Sequence, residues 1–131
     1  LNYNEHIVKT VSTCMYMLSR VNRIKHLLDS RTLVLLINMF VFSRLYYCST
    51  VWSNTAIENV KELQLIQNFA CRIILGLKKY DHISEGLKSQ NWLSVKDKLL
   101  LNDLVMVHKC IDEQIPSYLS GKFIQRSKII L

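Results

Sequence analysis

Lys9, Ser12, Thr13, Tyr16, Arg20 and Arg23 follow one another mostly at steps of three and four residues. At 100° of rotation per residue, that spacing puts all six on one stripe of a helix. Cations that replace counterions, hydroxyls that can donate to phosphate oxygens and a ring that can stack are what a phosphate-tracking surface needs. The competing reading is an ordinary solvated helix face. A second group lies in "QNFACRIILGLKKYDH", residues 67–82, where Gln67 interrupts an apolar stripe of Val60, Leu63, Ala70 and Ile74. Lys61, Asn68 and Arg72 fall on the opposite side, and Lys78, Lys79 and Tyr80 follow the helix end. A buried amide has to find partners, and its two donors and one carbonyl suit loop backbone. Gln67 therefore either pins a neighbouring turn or reaches a nucleic acid or an adjoining domain.

Catalytic constellations are missing from the sequence. It has no Gly-rich phosphate loop, no G-x-S-x-G and no H-E-x-x-H. The one adjacent acidic pair, Asp112-Glu113, falls at an expected helix end, and two-metal phosphoryl transfer needs carboxylates converging on a rigid site. Cys14, Cys48, Cys71 and Cys110 are evenly spread, with no C-x-x-C pair, and His108-x-Cys110 is too short for a usual zinc motif. They read as free, buried thiols in a reducing compartment.

The elements that must carry these groups are helices. Ile7, Val11, Cys14, Leu18 and Val21 form an apolar seam on a first helix over residues 4–28. Asp29 or Ser30 caps a second, reaching residue 50. Thr55 with Glu58 reads as a capping box for a third that ends at Gly76. A short helix is expected over 84–89, and Ser94 with Asp97 opens a fifth up to residue 112. Leu100, Leu101, Leu104, Val107 and Ile111 form its broad apolar face, with His108 at the edge, where a single histidine is most often a core residue. Leu99, Met106 and Cys110 lie on its other side, so this helix is either central or docks on something outside the chain. Pro116 starts a short "PSYLSGKF" segment and a basic tail.

With 131 residues, half of them hydrophobic, and only three Gly and one Pro, the chain reads as a single all-α domain spanning residues 1–131. The expected architecture is a compact bundle of about five helices around one central, nearly all-apolar helix, "LVLLINMFVFSRLYYCSTVW" (33–52). Arg44 and the polar residues of that stretch argue against a membrane span. Seventeen Lys+Arg against ten Asp+Glu give a net charge of +7 and favour polyanionic partners. No signal peptide opens the chain, and its start at Leu1 rather than Met suggests a piece of a longer polypeptide.

Five motifs, in order, resemble the region just downstream of the polymerase palm in non-LTR (LINE-type, jockey-like) retrotransposon reverse transcriptases. "LNYNEHI" is similar to L-x-W-x-x-H-I and "LSRVNRIKHLL" to L-x-x-L-x-R-x-R/K-x-x-L. "LYYCSTVW" resembles Y-C/G-x-x-x-W through Tyr47, Cys48 and Trp52. "LQLIQNFACRIILG" resembles L-x-x-x-Q-x-x-A-x-R-x-I/V-x-G through Leu63, Gln67, Ala70, Arg72 and Gly76. "NWLSVKDKLLLNDLVMVHKCI", starting at Trp92, and "PSYL…F" resemble the family's close. Tyr3, Ser94, Lys98 and Gln114 depart from the residues frequent there (Trp, Pro, Arg and Gly).

The resemblance implies a C-terminal thumb-and-connection fragment of an RNA-directed DNA polymerase, inactive by itself. The divalent metal, such as Mg, and its aspartates would belong to the palm of the parent protein, and no cofactor to this chain. The implied partners are RNA, DNA or their hybrid, held without sequence preference, and the palm; no membrane is implied, and the parent would be intracellular, in nucleus or cytoplasm. Lys9, Tyr16, Arg20, Arg23, Arg72, Lys78 and Lys79 would face nucleic acid, and Tyr47, Trp52, Gln67 and Trp92 would be structural. The alternative is a helical protein-interaction module with incidental charge. Cations on one connected surface favour the first reading; scattered cations beside an exposed apolar groove favour the second.

Overall fold

The computed structural model describes residues 2–124 and 126. Every regular element among them is helical: α1 (Asn4–Ile24), α2 (Ser30–Ile37), α3 (Ser43–Leu45), α4 (Ser49–Trp52), α5 (Ile57–Leu75), α6 (Ser84–Ser89), α7 (Val95–Ile111) and α8 (Ser117–Ser120). A 3₁₀ turn, Lys25–Leu27, extends α1, and a π turn, Asn38–Phe42, joins α2 to α3. The chain is an all-α bundle, and the seam expected on α1 is its buried side: Ile7, Cys14, Leu18 and Val21 are buried.

The central position belongs to α5, not to the second helix. α5 packs against α1, α2, α6 and α7, and buries Leu63, Ile66, Gln67, Ala70, Cys71 and Ile73. Residues 30–45 bury one side only, through Leu33, Ile37, Val41 and Leu45, while Leu35, Met39 and Phe40 are exposed. So small a bundle has too few neighbours to surround a second long helix, whatever its composition. The second helix also stops early. Cys48 takes φ 48°, ψ 35°, a left-handed conformation that breaks the run before α4. Trp52 is buried there, and its Nε1–H donates to the Tyr47 carbonyl at 3.1 Å.

The ends of the helices follow side-chain chemistry in three cases. The Asp29 carboxylate accepts from the Thr32 hydroxyl and from the Thr32 backbone N–H at the start of α2, and the hydroxyl bond foremost, with the backbone bond, holds its carboxyl below the usual range. Ser94 Oγ accepts from the Asp97 N–H at 3.2 Å and donates to the Asp97 carboxylate at 2.7 Å. Gly76 closes α5 at φ 65°, the conformation glycine adopts without penalty. The capping box expected from Thr55 and Glu58 does not form. Ala56 is the cap residue, and the Thr55 hydroxyl instead accepts from Asn59 Nδ2 at 2.7 Å. The same amide reaches Asn4 Oδ1 at 2.6 Å and so ties α5 to the start of α1.

α7 turns its apolar residues differently from the expected arrangement. Its buried residues are Val95, Leu99 and Cys110, whereas Leu100 and Leu104 are both 58% exposed and Ile111 is 44% exposed. Asn102 Nδ2 donates to the buried Ser49 hydroxyl at 2.9 Å, which fixes that side toward α4. His108 is no core residue: it is exposed and meets Asp112 at 3.2 Å. The thiols divide as well. Cys14, Cys71 and Cys110 are buried, but Cys48 is exposed, because the left-handed turn carries it outward. Most of the basic tail (125 and 127–131) lies outside the described residues.

Candidate nucleic-acid interface

The stripe on α1 is solvent-facing, with Lys9, Ser12, Tyr16, Arg20 and Arg23 all exposed. Tyr16 and Arg20 are coupled. The guanidinium carbon stands 5.6 Å from the ring centroid, and Nη1 donates to the phenol oxygen at 3.3 Å. One face of the ring is therefore covered by a cation, which leaves the other for stacking. Arg23 follows one turn later with no carboxylate partner among the described residues.

Each flank of this ridge opens into a recess. On one side His6, Lys9, Thr10, Thr13, Ser43, Arg44 and Tyr47 line a hollow of about 620 Å³ between α1 and α3. The protons of its serine and threonine hydroxyls are already committed. Thr10 donates to the His6 carbonyl at 2.9 Å, Thr13 to the Lys9 carbonyl at 2.9 Å, and Ser43 to the Met39 carbonyl. These side chains offer lone pairs, not donors, so the expectation that Thr13 donates to phosphate does not match its bonding. The positive character of the hollow comes from Lys9 and Arg44.

On the other side Met15, Asn22, Lys25, Phe69, Arg72, Ile73, Leu77 and Lys79 line a cleft of about 410 Å³ where α1 and α5 both end. The structure thus brings Arg72 and Lys79 together, and adds Lys25. Arg72 is weakly held: Nη2 lies 3.5 Å from the Asp81 carbonyl, and Nε is buried with no hydrogen-bond partner. Lys79 lies 5.7 Å from the centroid of the exposed Tyr80 ring. Lys78 is exposed and outside the cleft; its backbone N–H donates to the Asp81 carboxylate at 2.7 Å.

Among the described residues no lysine or arginine makes an ion pair with a carboxylate; the one salt bridge is His108–Asp112. The acids sit elsewhere or are used locally, as Asp97 and Asp29 are in helix caps.

Four residues serve the frame. Gln67 is buried; its Nε2 donates to the Leu93 carbonyl at 2.8 Å and its Oε1 accepts from Gln64 Nε2 at 2.8 Å. Trp92 is half-buried and meets Phe42 edge-on, with ring centroids 4.8 Å apart. Trp52 is buried, whereas the Tyr47 ring is 70% exposed, so Tyr47 contributes its carbonyl rather than its ring.

Arg44, Lys25, Asn22 and the apolar cleft residues were not among the candidates read from the sequence. Asn22, a polar residue at the edge of the α1 seam, was the one available signal. Arg44 sits within an apolar run, and nothing local shows that α1 brings Lys9 beside it.

No group of three or more His, Cys, Asp or Glu side chains that could hold a metal occurs among the described residues. Asp112 and Glu113 are exposed at the end of α7. No helix of the described residues is long and apolar enough to cross a membrane. Comparison with models of protein families, with curated proteins and with solved structures finds no match to the chain.

Proposed function

We propose that this chain is a helical, non-catalytic domain that holds template–primer nucleic acid for an RNA-directed DNA polymerase whose metal-binding palm lies elsewhere. The observation that carries the reading is the α1 ridge with its two flanks. Lys9 and Arg44 line one recess, Arg20 and Arg23 stand on the ridge, and Lys25, Arg72 and Lys79 line the other. No carboxylate of the described residues neutralises any of them. Cations left unpaired across adjoining surfaces suit a phosphate backbone, which is held by charge and shape rather than by base edges. The order of the five sequence motifs supplies the polymerase; the charge supplies the polyanion. In this reading the divalent metal ions are held by the palm and not by this chain.

The test is a salt titration with an RNA–DNA hybrid, comparing the chain with an Arg20→Ala/Arg23→Ala variant. Each phosphate contact contributes roughly 0.9 to the log–log slope on B-form duplex, so losing two should flatten it by up to about 2, similarly for unrelated sequences. An unchanged slope with unchanged affinity makes the ridge a solvated face.

A second reading, a protein-interaction module, is favoured by one observation. α7 exposes Leu100, Leu101, Leu104, Val107 and Ile111 along one side. The two readings are compatible, since a domain packed against a palm needs such a face.

A further inference from the structure

We propose that the cleft between the ends of α1 and α5 takes one unpaired terminal nucleotide that carries a phosphomonoester. The inference rests on the polyanion-binding reading and names the ligand of one part of that surface. The cleft has two unlike halves. Met15, Phe69, Ile73 and Leu77 make an apolar floor, and Asn22, Lys25, Arg72 and Lys79 add an amide and three cations. At about 410 Å³ it falls within the range of small-molecule sites. A hydrated inorganic anion would leave the floor uncovered, and an apolar ligand would leave the cations uncovered. A planar base joined to a phosphate covers both.

The charge fits the same group. α1 and α5 both end at the cleft, and a helix C-terminus carries roughly −0.5 of an elementary charge. Two such ends offset about one of the three cations and leave about +2. A phosphomonoester carries roughly −1.5 to −2 near neutral pH, whereas a single carboxylate or a backbone diester supplies one charge. Asp81 does not supply the missing anion, because its carboxylate accepts from the Lys78 N–H and pairs with none of the cations. Arg72 is the sharpest sign: its buried Nε has no partner, and its Nη2 bond is at the limit of hydrogen-bond length. A phosphate oxygen in the cleft, which Arg72 lines, supplies a stronger acceptor for the Nη groups of the guanidinium. A base inside a duplex is stacked on both sides, so the floor selects an unpaired end.

The test uses RNA–DNA hybrids that differ at one end: blunt, with one unpaired 5′ nucleotide ending in a hydroxyl, and with the same nucleotide ending in phosphate. The phosphorylated overhang should bind at least tenfold more tightly than the blunt hybrid, with the hydroxyl end between them. Lys25→Ala/Lys79→Ala should remove the preference for phosphate. Arg20→Ala/Arg23→Ala should weaken all three hybrids alike and keep their order. Adenosine monophosphate should shift the Met15 methyl resonance at concentrations where inorganic phosphate does not. Equal affinity for the three hybrids overturns the cleft assignment and leaves the polyanion reading standing. Absence of binding to every hybrid overturns the polyanion reading itself. A Met15 shift equal for phosphate and the mononucleotide reduces the cleft to an anion site and overturns the base-binding half.

Discussion

Gln67 Nε2 stands 2.8 Å from the carbonyl oxygen of Leu93, twenty-six residues away, and this bond joins the middle of α5 to the strap that precedes α7. Gln64, one turn earlier, accepts from the Val95 N–H through Oε1 at 2.8 Å and donates through Nε2 to Gln67 and Asn68. Two glutamines of one helix thus hold both ends of the Leu93–Val95 turn. Gln67→Leu keeps the volume and removes the bond, leaving the Leu93 carbonyl without its partner. It should lower stability by roughly 1–3 kcal/mol in urea unfolding. The Gln64→Leu/Gln67→Leu double variant should lose less than the sum of the singles, because the two amides bond each other. Strict additivity would show that they act independently.

The role of Gln67 was half legible in the sequence. Its place in an apolar stripe required a buried partner, but a helical period says nothing about which loop lies opposite. The same limit explains α7. Its period revealed two apolar sides, yet the choice of the Leu99 side as the packed one depends on α4, α5 and the Asn102–Ser49 bond. Caps made by neighbours in sequence, at Asp29, Ser94 and Gly76, were readable because all their parts are local. The Thr55 box failed because a third residue, Asn59, takes the hydroxyl. Pairings across the bundle, such as Lys9 with Arg44, have no local signature.

The two sides of α7 should respond oppositely to substitution. Leu99 is 4% exposed, and Leu99→Ala should destabilise by about 2–5 kcal/mol. Leu104→Glu changes a side chain that is 58% exposed and should leave the urea midpoint nearly unchanged while improving solubility. A large loss of stability from Leu104→Glu would mean that this side is buried in solution, against a second copy for example, and sedimentation would then show the change of mass.

Cys48 should be the fast thiol. It is exposed and the other three are buried, so one equivalent should react readily with a thiol reagent under native conditions and three more after unfolding. Burial pushes the Cys14 thiol up to about 11, partly opposed by the Arg44 charge, and burial raises Cys71 as well. The sign follows from linkage. A thiol whose pKa is raised on folding holds its proton longer in the folded state, so its contribution is complete below the unfolded value of 9.0 and lost as pH rises to about 11. Burial of the Tyr46 phenol raises its pKa and acts in the same direction. Urea midpoints should therefore fall between about pH 9 and 11, and Cys14→Ala should flatten that fall even though it lowers stability at pH 7.

The backbone at Cys48 is left-handed, at φ 48° and ψ 35°, a conformation that glycine adopts without penalty. A non-glycine residue there costs roughly 1–2 kcal/mol of strain, offset in part by the greater freedom of unfolded glycine. Cys48→Gly should hold or raise the melting temperature, whereas Cys48→Val should lower it, since a branched side chain tolerates positive φ least. A fall with glycine equal to that with valine would show that the cysteine side chain itself is needed.

The hydroxyls beside the ridge allow the sharpest separation of charge from hydrogen bonding. Thr13 Oγ1 donates to the Lys9 carbonyl at 2.9 Å, so its proton already serves the helix. A phosphate beside Thr13 would meet lone pairs and a methyl group. Thr13→Val should therefore change affinity for an RNA–DNA hybrid less than twofold and leave the salt slope as it is. Lys9→Ala removes one of the two cations that line the hollow, the other being Arg44. It should flatten the slope by up to about 0.9, the contribution of one phosphate contact on B-form duplex. Tyr16→Ala should cost roughly 1–3 kcal/mol for single-stranded ends if its free face stacks a base, and far less for an internal duplex. A Thr13→Val variant that weakens binding as much as Lys9→Ala would show that the hydroxyl turns from the helix to the phosphate, and that hydrogen bonds, not charge alone, hold the backbone on this side of α1.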